Sequence, residues 1–548
     1  SDVYKRQASL MRVCAACELR FRACVDRDAY VEACDAETAP IERSGDANEA
    51  SSASSACSVC LGILQIAVSR APRASNERAR DERPKTILDI ASVDAFATRA
   101  VARGHRPGSF KLNVILPAAV LARERATLLS RAIDPATTRV TPIDDALRII
   151  VAPTLTEALG CEENANGAEY ALTAKYKYGD DQRETEFLSA VKLQLSAKER
   201  EARHKRGKKG WDKQRWQGKR KRGGGGGKKD DFLAKLSSPE DPFADEFETA
   251  TRAYEDAARR LADARFNESD AFMEAFELTA PRYRVRCVLE AFHAPVHVGG
   301  WYVKLDRGVP QSQWISRETG ARIGRGSVVE AIERVVLKGL GSNGAKFNSS
   351  GREDMDVRML SDGRPFALQV HDPKTPLASA ENVAAMEREI NAQSDITGVR
   401  VRGLCFTTKE NYHAVGMSSE EHEKEKSYVA IVRVSREATP EDHEKIASTS
   451  RLVVQQSTPT RVAHRRADLV RPRTIVSMSS EPIPGSPDSF ILRLRTQAGT
   501  YVKEFVHGDA GRTAPSLGDL LGCRAEIIQL DVTAINDDWN PSGAPRVA

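Results

Sequence analysis

The 548-residue sequence has no apolar run long enough to cross a bilayer, so a membrane-spanning helix is not expected. Its N-terminal stretch lacks a basic segment followed by an apolar core, and no secretory signal is expected either. The opening segment, Ser1 to Gln7, does not begin with Met and is given no weight. A strong net charge is also missing. Lys and Arg total 82 against 77 Asp and Glu, and the resulting +5 permits nucleic-acid binding without arguing for it. Ten cysteines are too sparse for a secreted disulfide scaffold, and a reducing compartment, nucleus or cytoplasm, is the expectation. No H-x-E with a downstream P-C-x-x-C is present, which removes the pattern of a zinc deaminase. No internal repeat stands out.

The length corresponds to roughly two to four domains, and 41% hydrophobic residues suffice for real cores. Composition divides the chain into 1–280 and 281–548. In the first part, Phe110 to Leu116 alternates as a strand and Ala118 to Ala132 reads as a helix. A Lys/Arg-dense run ending in glycines, 198–229, has no apolar period and reads as a disordered insertion, an RNA tether or an import signal. Tyr283 to Phe292 reads as a strand leading into the second part. There, Ser327 to Lys338 reads as a helix with capping-box spacing at Ser327 and Glu330, and Gly339 sits where the helix should stop. Pro365 to Val370, Tyr428 to Val434, Phe490 to Arg495 and Arg524 to Val532 read as strands. In the third of these, Phe490, Leu492 and Leu494 face a core while Arg493 and Arg495 form a basic side. The fold class expected is α+β.

Two C-x-x-C pairs, Cys14 with Cys17 and Cys57 with Cys60, have the spacing of zinc knuckles. Two residues between thiolates let both sulfurs reach one ion from a tight turn, and two such turns complete a tetrahedron. Cys24 and Cys34 are substitute candidates, and four free buried cysteines or one redox pair are the alternatives. A closed four-sulfur site would be structural zinc with no catalytic role.

The most informative stretch runs from Ser349 to Val370. It packs Arg352, Glu353, Asp354, Asp356, Arg358, Asp362 and Arg364 between glycines, immediately before a strand. Arginines beside carboxylates hold them ionised and can grip phosphate, while a solvated salt-bridged loop would have the same composition. Its G-R-E-D-x-D-V-R core resembles the motif of the pseudouridylate synthase 10 family of archaea and eukaryotes, departing at Ser361, where that family usually has Gly. The resemblance extends to His297 through Gln311 (with Trp301 and Gln313 as departures), to Gln456 through Arg473, and to the G-T-Y-V-K of Gln497 through Gly511. Together these cover Pro295 to Val532.

The resemblance implies a C-terminal pseudouridine synthase fold, a mixed and largely antiparallel sheet with flanking helices. It also implies an N-terminal accessory domain that is zinc-bearing and THUMP-like. The expected activity is conversion of uridine to pseudouridine at positions 54 and/or 55 of the tRNA T-arm, without a catalytic cofactor, by a monomer whose partner is tRNA. In that register Asp354 is the catalytic carboxylate, with Asp356 the secondary candidate. Tyr428 stacks on the flipped base, Lys503 pairs with Asp354, and Tyr501 and Leu530 line the base pocket. Arg352 and Arg358 serve the substrate. Arg461, His464, Arg465, Arg466, Arg471 and Arg473 form a basic cluster for RNA phosphates. The competing expectation is a zinc-stabilised RNA-binding protein without catalysis.

Overall fold

The computed structural model describes residues 11–38, 56–66, 85–88, 92–134, 138–191, 254–262, 269–283, 285–316, 319–376, 379–417, 425–461, 467–536 and 539–542. The basic 198–229 run and the triplet His464, Arg465 and Arg466 lie outside the described residues. Helices α1 (Ala15–Phe21) and α2 (Arg27–Thr38) are followed by β1 (Lys85–Leu88), α3 (Val93–Ala102), β2 (Phe110–Ile115) and α4 (Ala119–Ser130). Then come α5 (Ile143–Leu159), β3 (Tyr170–Lys177) and β4 (Arg286–His293). The four strands form one sheet in the order β1-β4-β3-β2, with β2 and β3 parallel and the other pairs antiparallel. Alternation does the sorting: Tyr170, Leu172, Ala174 and Tyr176 of β3 are buried with Phe96 of α3 and Leu147, Ile150 and Val151 of α5 in one core.

The expected boundary at 280 moves. Strand β4 does not lead into the second unit. It is registered along β3 from Tyr170 opposite His293 to Lys177 opposite Arg286, with β1 on its other side. The division falls between Ala294 and Pro295. The strand is buried along its length after Arg286, so its own residues fit either core, and its pairing partners decide where it belongs.

The second unit begins with β5 (Val296–Lys304), β6 (Trp314–Ile315), β7 (Arg322–Ile323), α6 (Val328–Leu340), β8 (Ala345–Ser349) and β9 (Arg358–Val370). It continues through α7 (Ala380–Ala392), β10 (Val399–Thr407), α8 (Lys409–Met417), β11 (Glu425–Val434), α9 (Pro440–Ser448) and β12 (Ser450–Ser457). It ends with β13 (Val470–Ile483), β14 (Ser486–Gln497), α10 (Val502–His507), β15 (Thr513–Ala514), α11 (Leu517–Leu521) and β16 (Ala525–Ile535). The main sheet runs β10-β5-β9-β16-β11-β14-β13-β12-β15, with β8 also on β9. A short parallel seam joins β9 to β16 at Arg358 opposite Asp531 and Met359 opposite Val532, and the other pairings in this sheet are antiparallel among the described residues. The architecture is α+β, as expected.

Two local expectations are corrected. Helix α6 runs through Gly339 and ends at Gly341, whose φ of 62° is the left-handed conformation that glycine adopts freely. Gly339 instead leaves room for Met386 of α7, which a β-carbon at that position would strike. Only half of the capping box forms: Glu330 N donates to Ser327 Oγ at 3.2 Å, while the Glu330 carboxylate takes the Ser327 hydroxyl and pairs with Arg322. The basic side of β14 is real but neutralised, because Arg493 pairs with Glu481 at 3.2 Å and Arg495 with Glu425 at 3.0 Å. Ser327→Ala should lower stability by about 1 kcal/mol through loss of the cap, read as a lower urea midpoint of the unfolding transition at unchanged slope.

Candidate active site

The loop between β8 and β9 is fixed from beneath by buried charge. Glu353 is buried and accepts from Tyr302 Oη at 2.9 Å and from Arg364 Nε at 2.8 Å, and Lys304 Nζ lies 3.8 Å away. Arg364 also donates to Ser350 O at 2.7 Å. Lys304 is fully buried and donates to three backbone carbonyls, Val309 O and Asp354 O at 2.9 Å and Met355 O at 3.3 Å. Gln311 Nε2 reaches Tyr302 Oη, Ser349 Oγ and Gly351 O. Burial pushes the Lys304 ammonium down to about 8 against the pull of Glu353. Gly351, at φ 88°, lets the chain pass close to Arg364 and Lys426 where a side chain would crowd both. Ser361, the expected departure, adopts φ 52° in the left-handed region that glycine would enter at lower cost.

With Glu353 turned inward, its neighbours turn out. Asp354 is half-buried and Asp356 exposed. Asp354 Oδ1 takes Arg461 Nη1 at 3.1 Å, and Asp354 Oδ2 lies 3.5 Å from Lys503 Nζ. Lys503 sits closer to Asp356, at 2.7 Å. Burial works to raise the Asp356 carboxyl, but the Lys503 ammonium bonded to it holds it below its ordinary value. Arg307 ties the far end of the loop, donating to Asp356 O at 2.8 Å and to Leu530 O at 2.7 Å.

The segment after β12 lies along the turn into α10. Gln456 and Tyr501 exchange two hydrogen bonds of 2.9 Å, Gln456 Nε2 to Tyr501 O and Tyr501 N to Gln456 Oε1. Thr460 N and Oγ1 donate to Asp509 at 3.2 and 3.1 Å, and Arg461 Nε donates to buried Glu504 at 2.6 Å. Two motifs far apart in sequence thus become one strap beside Asp354.

In the first unit, Cys14, Cys17, Cys57 and Cys60 are buried and their sulfurs all lie within 4.8 Å of one another. Sγ of Cys14 and Cys60 are 3.8 Å apart, and those of Cys17 and Cys57 3.9 Å. A tetrahedron with metal–sulfur bonds of about 2.3 Å has edges of about 3.8 Å, so the cluster fits a metal ion. Cys14 N donates to Cys57 Sγ at 3.3 Å and Arg20 Nη1 to Cys17 Sγ at 3.6 Å, contacts that offset thiolate charge. Cys34 instead donates to Leu64 O, and neither it nor Cys24 belongs to the cluster.

Residues 297–536 match the family model described as Pus10, C-terminal. The chain resembles proteins named tRNA pseudouridine synthase Pus10 from Xenopus laevis (39% identical over 254 residues, 46% of this chain and 48% of the relative) and Homo sapiens (39% over 255 residues, 46% of each). Its counterpart from Thermofilum pendens is 36% identical over 253 residues, 45% of this chain and 54% of the relative. The chain therefore spans about half the length of the curated relatives it matches. Among solved structures, a Cbf5-Nop10-Gar1 complex is 16% identical over 43% of this chain and 49% of that one, at a TM-score of 0.25, too slight a likeness to build on.

The second unit brings Asp354, Lys503 and Arg461 together, and the Tyr501 backbone is bonded to Gln456 on the strap. Tyr428 is half-buried on β11, between Leu494 and Val532, and burial pushes its phenol up to about 12 despite the nearby Arg364 charge. Leu530 is core. Arg352 is exposed and without an ion pair among the described residues. Arg358 forms a two-pronged pair with Asp531, at 2.9 and 2.6 Å, across the parallel seam. Arg461 is bound to both Asp354 and Glu504 within the site. Arg471 and Arg473 are half-buried on β13, and Arg473 lies over Gly499.

Glu353, Arg364, Lys304, Tyr302, Gln311 and Glu504 went unassigned in the sequence. One signal pointed to Lys304: in the alternation of β5 it falls on the same face as the buried Val298 and Tyr302. Removing the central carboxylate leaves two buried cations without a counter-charge. Glu353→Ala should cost about 3–5 kcal/mol, seen as a large drop in urea midpoint, whereas Asp356→Ala at the exposed rim should cost under about 1 kcal/mol.

Proposed function

We propose that this protein is a tRNA pseudouridine synthase acting on T-arm uridines, at positions 54 and/or 55, with Asp354 as its catalytic carboxylate. The carrying observation is the outward Asp354 carboxylate, held between Arg461 and Lys503 on a loop whose backbone is pinned by buried charge. The match to the Pus10 C-terminal family and the names of the relatives support the same reading.

The reaction breaks the N1–C1′ bond of uridine, turns the freed base and rejoins it through C5. No atom is lost overall and no oxidant or phosphate donor is consumed. A carboxylate beside the ribose is required, acting as nucleophile or as base at the sugar. Arg461 and Lys503 flank the Asp354 carboxylate with positive charge. The uridine must leave its stack to reach it. In this reading Tyr428 stacks on the extruded base, Tyr501 and Leu530 line its pocket, and Arg352 meets the flanking phosphate. Arg471 and Arg473, with His464, Arg465 and Arg466, contact the RNA backbone and make binding salt-dependent.

The first unit is read as the accessory, THUMP-like part. Its four cysteines hold structural zinc, with sulfur–sulfur edges near 3.8 Å in support. Four protein sulfurs complete the tetrahedron and leave zinc no open position, so its contribution is to fold stability. Ten free cysteines suit a reducing compartment, nucleus or cytoplasm.

The purified chain is incubated with an unmodified tRNA transcript, and pseudouridine is mapped by carbodiimide primer extension. New T-arm stops with the native protein, absent with Asp354→Asn while gel-shift binding persists, are expected. Binding by both proteins without stops from either would leave a non-catalytic RNA-binding protein. Metal analysis should find one zinc per chain. Cys57→Ser should lose it and lower the melting temperature, and a metal-free protein as stable as the native one would contradict the zinc assignment.

A further inference from the structure

Glu504 has no place in the mechanism described so far. It is a carboxylate on α10 among the buried Val502, Phe505 and Val506, and it is only 2% exposed. One oxygen accepts from Arg461 Nε at 2.6 Å, and the other is buried without a hydrogen-bond partner among the described residues. A buried charge with one bonded oxygen is an expensive way to fill an apolar position. What it secures is the direction of Arg461, whose Nη1 reaches Asp354 Oδ1 at 3.1 Å. The backbone at this point is fixed as well, through the bonds of Thr460 to Asp509. Lys503, the expected partner of Asp354, stands 3.5 Å from it and 2.7 Å from Asp356. The near cation on Asp354 is therefore Arg461.

We propose that Glu504 is a positioning residue that aims the Arg461 guanidinium so that it holds Asp354 Oδ1 and leaves Oδ2 to meet the ribose in one orientation. This rests on the reading of Asp354 as the catalytic carboxylate. A guanidinium suits the task because its donors diverge in one rigid plane, so one face can serve Glu504 while the next serves Asp354. An ammonium at the same place has no such fork. Glu504 touches neither substrate nor Asp354 and acts only through Arg461.

The test separates positioning from simple stability. Full-length protein in excess over an unmodified tRNA transcript gives a maximal single-turnover rate and a half-saturating concentration, and urea unfolding is followed in parallel. Glu504→Gln should lower the maximal rate by about 10- to 100-fold, as expected for a misplaced reacting group, with half-saturation within about twofold. Arg461→Met should lower the rate similarly and destabilise more, because it strands the Glu504 charge. The double variant Glu504→Gln/Arg461→Met should regain stability, having no stranded charge, yet keep the low rate. Arg461→Lys should recover only part of the rate. A double variant whose rate returns with its stability, or Glu504→Gln with the native rate, would overturn the proposal and leave the pair a structural ion pair. Native protein that forms no pseudouridine while binding tRNA would overturn the underlying catalytic reading and this proposal with it.

Discussion

The Glu353 carboxylate, buried between Arg364 and Lys304, is the constraint on which the site is built. Each of the three charges would be prohibitively costly alone in that interior; the two cations compensate Glu353, and Glu353 with backbone carbonyls compensates the cations. The carbonyls that Lys304 and Arg364 recruit belong to Val309 and, on the loop itself, to Ser350, Asp354 and Met355. Neutralising the buried charge and shaping the loop are therefore the same act. With the backbone held on both sides of Asp354, its carboxylate faces outward without ordering the loop at the moment of use, which is what preorganisation requires.

The sheet supplies the platform for this loop. Its two antiparallel parts meet at the short parallel seam of β9 and β16, where few backbone hydrogen bonds form. Asp531 compensates by taking Arg358 and Arg307 together, and Arg307 continues to the carbonyl of Asp356. The seam, the loop and the strap from Gln456 to Arg461 are thus linked through hydrogen-bonded charges. Such a network transmits position well because its members have few alternative partners, and it is sensitive to loss of any one of them.

The first unit solves a different problem. Its sheet and helices share one core with the cysteine turns, and Arg123 ties those turns to the rest. Arg123 donates to Ser58 O at 2.9 Å and pairs with buried Glu184 at 2.6 Å. Four buried sulfurs within 4.8 Å of one another, with a cation and a backbone amide beside them, make a cluster that could hold a metal ion.

Helices and strands with a clear apolar period were legible in the sequence, as α6 and β14 illustrate, because burial of one face is a local property written in residue order. The cysteine pairs and the Asp354 motif were legible too, since spacing and chemistry are also local. Ownership of β4 was not, because a strand buried on both faces carries no mark of its partners. Nor were the roles of Arg358, Arg461 and Glu504, which depend on residues up to 173 positions away in the chain. The sequence by itself determined which groups are available and which segments can fold. Only the tertiary structure decided which charge meets which, because in a low-dielectric interior the nearest partner sets the energy of a charge, and nearness there is a matter of sheet order and register.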